Sequence, residues 1–570
     1  MIIKKDSILG YDYSFEFDFK VDIVSYCKHL SSVHGFKKIS FFDKKWRIND
    51  INLIVKIKSR FPEAVIEDNM LIDYQLAEYL STQSILDREN SNRIKLAKES
   101  SLEIKNVKGT LYPYQKVGVE FFIANNGTAI NSDPMGVGKS LQALAYAAHS
   151  ELKKVLIVCP ASVKYNWENE VRKFTVLESF VINGNASEKQ LEKGYESSTF
   201  LIINYDILKK FFGFICLCKW DLLVLDECHM IKNNSAQRTK VVKKIARVMP
   251  RRILLSGTPF LSRPVELFNS LYLVDPKTWN NFYSYGKRYC DAFHDRYGWN
   301  DRGASNIEEL QERISPYFIR RRKEDILPDL PPKRYISYPV ELDKKTQKEY
   351  DMAEKEFGRF LVEVKKKTLK ETQKTLQAEK LAKLGALRYL TSMGKIEVAK
   401  EIIENIIDSG EKVLVFSCYN KPLELLQEHF GDKTLMLTGS VESKKRNEMV
   451  NDFQTNENRK IFLGGIKSAG VGINLTAASN VLFLDFSWVP ADHAQAADRA
   501  HRIGTKASHV TIYQLYSKGT VDEFMHKLLE KKQLLFDCLI DGKLRETAVR
   551  GNYASSIIST IEKRQDPSRK

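Results

Sequence analysis

The sequence predicts an α/β protein in which two tandem parallel-sheet lobes follow a small α+β N-terminal domain. Three observations carry this. Beyond Lys108, the short apolar runs VLIVCP, FLIINYD, DLLVLDE and RRILLSGTP each end at a small or acidic residue and lead into a helical pattern. Buried parallel strands with crossover helices read this way. The pattern restarts after Ser409 with KVLVFS, TLMLTG, KIFLGG and NVLFLD, so a second lobe follows the first. Before Lys108 the texture differs: Tyr11, Tyr13, Phe15, Phe17, Phe19, Val21 and Ile23 alternate with polar residues, the period of a half-buried strand.

Taken in order, that strand is followed by a helical stretch near Ser25 to Val33 and a hairpin around Asp43 and Lys44, flanked by residues 39–42 and 46–48. Asn49 or Asp50 then caps a helix carrying Ile54 and Ile57. The polar stretch from Ser81 to Lys108 reads as helix or linker. The expected boundaries are an accessory α+β domain over 1–105, a first lobe over 106–335, a helical connector over 336–395, a second lobe over 396–545 and a tail over 546–570. The connector's basic run, KEFGRFLVEVKKKTLKETQK, reads more readily as a solvated helix than as a DNA contact.

A net charge of +17 over 570 residues suits a polyanionic partner. Nucleic acid fits better than a membrane surface, because the basic balance is spread along the chain with no long amphipathic basic helix. The 8 cysteines form no C-x-x-C pair, and the closest two, Cys216 and Cys218, match neither a zinc site nor a secreted disulfide framework. They read as reduced thiols. The N-terminal residues lack a signal-peptide apolar core, and no apolar run approaches the roughly 18 residues needed to span a bilayer. The expectation is a soluble intracellular protein, in the cytoplasm or nucleoid of a bacterial or viral system or in a eukaryotic nucleus.

The chemistry concentrates in two motifs. A phosphate cradle needs glycines that let backbone amides face phosphate oxygens, a lysine for the β and γ charges, and a hydroxyl for magnesium, all at a helix N-terminus. In NSDPMGVGKS these are Gly136, Gly138, Lys139 and Ser140, although Asp133 stands where the strict pattern has its first glycine. In WDLLVLDECH, an apolar strand ends at Asp226 and Glu227, where one carboxylate can hold magnesium and the next can orient or deprotonate water. An isolated Gly-rich turn or a pair of loop acids would each be unremarkable. Their order, with SGTP at Ser256 to Pro259 following, argues for one site.

The ordered set DPMGVGKS, DECH, SGTP, SAGVGINLTAA and QAADRAHRIG resembles a superfamily 2 helicase of the SWI/SNF-related branch, whose members translocate on double-stranded DNA. YPYQKVGVEFF, CPASVKYNWENEV, IRRRKEDILPDLPPK and WVPADHAQAADRAHRIG extend the resemblance from about Leu111 to Gly542. It implies RecA-like lobes, ATP and Mg2+. Residue by residue, it implies Gln115 on the adenine side, with Asp133, Met135, Gly136, Val137, Gly138, Lys139 and Ser140 around the nucleotide. Ser140 and Asp226 would serve the metal, Glu227 would be the base, and Ser256 and Thr258 would couple nucleotide state to lobe movement. Gln495, Arg499 and Arg502 would face the nucleotide from the second lobe, the arginines as fingers; their spacing of three would put both on one side of a helix. DNA backbone contacts are expected from the CPASVKYNW loop, Asn204, Thr438, Ser468 and Gly470, with little base specificity.

Within that branch, SGTPFLSRPVELFN, YGKRYCDAFHDRYGWNDRGASN and LYSKGTVDEFMHKLLEKK resemble the HepA-related annealing helicases, which rewind bubbles and regress forks. Residues 1–105 loosely resemble the HARP domain such proteins carry. Two departures stand out: Pro134 where relatives have an acid, and Thr505 where RIGQ has glutamine. The implied function is an ATP-dependent translocase acting on double-stranded or forked DNA in repair, recombination or replication. A strand-separating DNA or RNA helicase and a catalytically silent DNA-binding scaffold are the rival readings. No inserted aromatic-rich domain that could wedge between bases stands out in the motor.

Overall fold

The computed structural model describes residues 2–8, 11–16, 21–34, 39–42, 45–48, 51–61, 64–66, 89–95, 97, 99–257, 263–295, 298–301, 303–366, 372–437, 443–466, 473–502, 504–505 and 507–530. A strand with no polar alternation has no face for water, and Val155–Cys159 and Phe200–Asn204 are buried at every position. They lie in a seven-stranded sheet whose spatial order is Phe318–Ile319, Thr128–Asn131, Arg252–Leu255, Leu222–Asp226, Val155–Cys159, Phe200–Asn204 and Ser179–Val181, every pair parallel. Alternate residues feed two cores. Leu156, Val158, Leu201, Ile203, Leu223 and Leu225 pack on one face, and Val155, Ile157, Phe200, Ile202, Leu222 and Val224 on the other.

The second lobe is a six-stranded parallel sheet in the order Lys333–Val340, Val510–Ser517, Asn480–Phe483, Val413–Ser417, Ile461–Gly465 and Thr434–Leu437. Two tandem parallel-sheet lobes are thus present as expected, but their border moves. Lys333–Val340 pairs along its whole length with Val510–Ser517, so the second lobe begins before the expected connector. The helices Lys344–Lys366 and Thr372–Met393 occupy that connector, and they are not merely solvated. Tyr350, Phe357, Leu384 and Leu387 share a core with Phe486, Val521 and Met525, which ties them to the second lobe.

Residues 1–93 form a separate unit. Its sheet runs Ile39–Phe42, Lys45–Ile48, Tyr11–Glu16, Ile2–Ile8 and Val65–Ile66, with only the last pair parallel. The helices Val21–His34 and Ile51–Arg60 supply Ile23, Cys27, Leu30, Leu53, Ile54 and Ile57 to its core. The hairpin and the second helix match expectation. The first strand is shorter than its alternation suggested: Val21 and Ile23 belong to a helix, where Ile23, Cys27 and Leu30 share a buried stripe at helical spacing. Residues 94–105, expected with this domain, instead join the first lobe, whose core takes Ile94, with Leu102 and Ile104 against it.

Between Arg252–Leu255 and Phe318–Ile319 the first lobe carries an isolated two-stranded hairpin, Phe293–Asp295 with Gly298–Asn300. Among the described residues all seven cysteines are free, and no helix is long and apolar enough to cross a membrane.

Candidate active site

The phosphate loop leaves the sheet after Asn131, whose side chain accepts a hydrogen bond from the Asp133 amide (2.9 Å) and donates to Gln142 (2.9 Å). Gly136 and Gly138 both take φ of +80°, a conformation L residues resist, and Gly138 caps the helix Lys139–His149. The Lys139 ammonium is held inside the loop, donating to the carbonyls of Asp133 (2.8 Å) and Pro134 (2.9 Å). Burial lowers its proton affinity, while Glu227, Asp133 and Asp226 oppose that shift. Behind the loop, Gln115 is buried, accepting from the Tyr112 amide (3.0 Å) and donating to the Val137 carbonyl (3.2 Å). Beside it, Tyr112 is 47% exposed and stacks on Tyr114 at 5.8 Å, a flat face that the sequence reading did not single out.

Asp226 closes the strand Leu222–Asp226, and Glu227 turns out of it at φ +49°, ψ +55°. A glutamate in the left-handed region is strained, and such strain persists where surroundings over-determine it. Those surroundings are visible. Trp167 Nε1 donates to one Asp226 carboxylate oxygen (2.8 Å), the Glu227 amide donates to the other (3.0 Å), and the Tyr205 hydroxyl donates to the Asp226 carbonyl (2.8 Å). Ser256 donates to the Glu227 carboxylate (3.2 Å), and His229 Nδ1 lies 3.2 Å from the same oxygen. Burial and the neighbouring Glu227 raise the Asp226 pKa to about 7. Burial also pushes Glu227 up, but His229, Lys139 and Ser256 outweigh it and hold this carboxylate below its ordinary range. One acid is therefore poised to lose a proton to a cation, and its neighbour is already charged.

The second lobe reaches this site through the segment after the helix Pro490–Ala497. Arg502 lies across the phosphate loop: a Cβ on Gly136 would come within 2.8 Å of Arg502 Cγ. Arg499 is buried, donating to the Ile473 carbonyl (3.0 Å), and it feels the charges of Arg502, Glu227 and Asp498. Neither arginine is on the helix as expected, because the helix ends at Ala497 and both belong to the turn beyond it. Gln495 is buried within the helix.

Asp133 departs from its expected place. Its carboxylate is fully buried and ion-paired with Arg321, leaving only its carbonyl toward Lys139. An unpaired negative charge beneath a phosphate site would repel the ligand, and the Arg321 pair cancels it. Val137 buries its side chain, while Met135 covers Gly257, whose added Cβ would meet Met135 Cγ at 2.8 Å. Ser140 sits within hydrogen-bonding reach of Glu170. Asn204 ends the strand Phe200–Asn204 and is mostly buried. Thr258, Thr438, Ser468 and Gly470 lie outside the described residues.

The SNF2-related domain family matches residues 114–397, and the helicase conserved C-terminal domain family matches residues 394–504. The chain belongs to the SWI/SNF-related family. It is 34% identical over 445 residues to the SWI/SNF-related matrix-associated actin-dependent regulator of chromatin subfamily A-like protein 1 homolog of Caenorhabditis elegans, covering 74% of this chain and 61% of that protein. It is 30% identical over 454 residues to the human DNA annealing helicase and endonuclease ZRANB3, covering 77% of this chain and 41% of that protein. The chain thus spans 61% and 41% of the length of these two relatives. Among solved structures, the Sulfolobus solfataricus SWI2/SNF2 ATPase core in complex with dsDNA aligns with 26% identity and a TM-score of 0.39, over 78% of this chain and 96% of that one.

Two stretches within the span matched by the SNF2-related domain family acquire roles that their spacing had not revealed. In IRRRK, Arg320 donates to the carbonyls of Ser132 and Gly257 (both 3.0 Å), and Arg321 pairs with Asp133. Lys323 then donates to Asp498 (3.1 Å) and the His501 carbonyl (2.6 Å) in the second lobe. Arg320, Arg321 and Lys323 therefore strap the phosphate loop to the arginine-bearing turn. In CPASVKYNWENEV, Trp167 holds Asp226 and Glu170 faces Ser140 and Arg502. Thr505 closes the same turn, accepting from the Arg502 amide (3.2 Å) and donating to the Ala500 carbonyl (2.6 Å).

Proposed function

We propose that this protein is an ATP-dependent translocase on double-stranded DNA that remodels or anneals forks and bubbles. The observation that carries this is the position of Arg502. A second-lobe guanidinium lies over a first-lobe phosphate loop, so a triphosphate between them would be read by both lobes at once. Gly136 and Gly138 open the loop toward anions, Lys139 is ready to exchange carbonyl oxygens for phosphate oxygens, and the Lys139–His149 helix offers its N-terminus. These residues fit ATP.

Ser140 and Asp226 are the residues that would hold Mg2+, which when bound neutralises charge on the β and γ phosphates. Trp167 fixes the orientation of Asp226, and Glu227, held by Ser256 and His229, orients the attacking water and accepts its proton. Arg502 and Arg499 meet the charge that develops on the transferred group. Movement of the second-lobe turn as that charge appears is transmitted through Asp498 and Lys323 to both sheets.

Because the Asp226 pKa is raised to about 7, a proton competes with magnesium for this carboxylate below neutrality. Half-saturating Mg2+ for ATP hydrolysis is therefore expected to rise as pH falls below about 7, approaching tenfold per pH unit. A magnesium titration at pH 6 and pH 8 checks it.

The DNA reading draws on the net charge of +17 and on relatives named as annealing helicases. Its test is ATPase rate against blunt duplex, fork and single strand, with duplex-bearing DNA expected to stimulate most. Residues 1–93, which fold apart from the motor and loosely resemble a HARP domain, would add preference for forks. Their deletion is expected to spare duplex-stimulated ATPase and to erode the fork-to-duplex ratio of affinities, measured by anisotropy. The cut belongs at 93 rather than 105, since Ile94 is part of the first-lobe core.

A further inference from the structure

The helix Gln237–Ala246 buries one side and charges the other. Val241, Val242 and Ile245 join the core that contains Leu156, Val158 and Leu225, so the helix covers the sheet face opposite to the one that packs Leu144 of the phosphate-loop helix and Trp167. Its outer side carries Lys240, Lys243, Lys244 and, at the C-terminal cap, Arg247. Lys240, Lys244 and Arg247 fall at i, i+4 and i+7, a single stripe about 10 Å long. With Gln237 and Val241, these four cations line an open groove of about 290 Å³. Like charges at such spacings repel, and among the described residues no carboxylate pairs with any of the four. Arg238, on the flank of the same helix, is by contrast paired with Asp206 at 3.8 Å. Burial, with Arg247 beside it, lowers the Lys243 pKa to about 8. The array is also held in place. Lys243 donates to the Asn234 side chain (2.7 Å) and lies over the Tyr272 ring (4.7 Å), and Lys244 lies over the Phe212 ring (6.0 Å). Thr239 donates to the Ile231 carbonyl (3.2 Å), which fastens the helix to the turn that follows Glu227. An anion in the groove would relieve both the mutual repulsion and the cost of burying Lys243.

We propose that this groove is a second site for a DNA backbone, outside the tracking surface of the lobes, and that it holds one duplex arm of a fork while the motor moves on another. A strand places its phosphates about 3.4 Å apart along the duplex axis, so the stripe runs beside about three of them. An acidic protein segment would also bring charge. Protein interfaces, however, are depleted in lysine and centre on apolar anchors, whereas Val241 is the one apolar side chain among the described residues of this lining. Contacts made by cations alone suit phosphates and read no sequence. The stretch CPASVKYNW, expected to track DNA, leads into the helix Lys164–Phe174 on the other face of the sheet, so the arm held here is not the one tracked. The inference deepens the translocase reading and rests on it: an arm fixed to the first lobe keeps a constant place relative to the moving motor.

The test uses the full-length protein and its Lys240→Gln/Lys244→Gln/Arg247→Gln variant, all three positions being exposed. The probes are a fork with two duplex arms and a blunt duplex of one helical turn, each titrated by anisotropy over a range of salt. Loss of three phosphate contacts is expected to weaken fork affinity by about tenfold or more and to flatten the dependence of log Kd on log salt by about 2 to 3. Affinity for the short duplex and DNA-free ATPase should stay unchanged. The charge-preserving Lys240→Arg/Lys244→Arg/Arg247→Lys variant should keep the fork affinity and the salt slope of the unsubstituted protein. A second measurement needs no variant: the fork, but not the short duplex, should protect Lys240 and Lys244 from an amine-reactive label. Unchanged fork affinity and slope in the glutamine variant, an equal loss on the short duplex, an equal loss in the charge-preserving variant, or absence of fork protection would each overturn the second site. Absence of DNA-stimulated ATPase in the unsubstituted protein would count against the translocase reading, while the salt slope and the labelling would still report on the groove.

Discussion

Glu227→Gln is expected to bind ATP with nearly unchanged affinity and to hydrolyse it about a hundredfold to ten-thousandfold more slowly, the range over which a positioned general base acts. The amide keeps the shape of the carboxylate and its hydrogen bond from Ser256, so the strained turn at Glu227 should survive. What it loses is the negative charge and basicity needed to take the proton. Lys139 is one of the charges that hold the Glu227 carboxyl low. Transfer of that ammonium to phosphate oxygens would raise the proton affinity of Glu227 at the step that needs it. Equilibrium binding of a fluorescent ATP analogue beside a phosphate-release assay separates the two effects; an unchanged rate would remove Glu227 from the base role.

Arg502→Ala should cut turnover by about a thousandfold or more, again with ATP affinity little altered, because a finger acts on charge that exists mainly in the transition state. The half-buried Arg502 side chain lies against Gly136 and is anchored by its Nε donating to the Asp498 carbonyl (3.1 Å). Lysine in its place should recover little, since it cannot reproduce the planar fork. The decisive numbers are kcat and KM separately. A variant with raised KM and preserved kcat would make Arg502 a ground-state ligand.

Much of this was legible in the sequence because parallel strands buried on both faces are continuous apolar runs, and DLLVLDE or KVLVFS admits few other readings. Less was legible where periodicity is ambiguous. Val21 and Ile23 fit both a strand alternation and a helix stripe, and tertiary burial with Cys27 and Leu30 chose the helix. Lys333–Val340 is mostly exposed, so it lacks the apolar signature, and only its pairing with Val510–Ser517 reveals it as part of the second lobe. At the site, Lys139, Asp226 and Glu227 followed from motif order. Asp133 did not, because its partner Arg321 is 188 residues away.

The central claim is movement along duplex DNA without strand separation, and displacement of a triplex-forming third strand measures it most directly. With ATP, the protein should strip the third strand from a duplex, lose that activity in Glu227→Gln, and leave a simple tailed duplex paired. Release of a long strand from the tailed duplex, with the triplex untouched, would contradict the translocase account and make the protein a conventional strand-separating helicase.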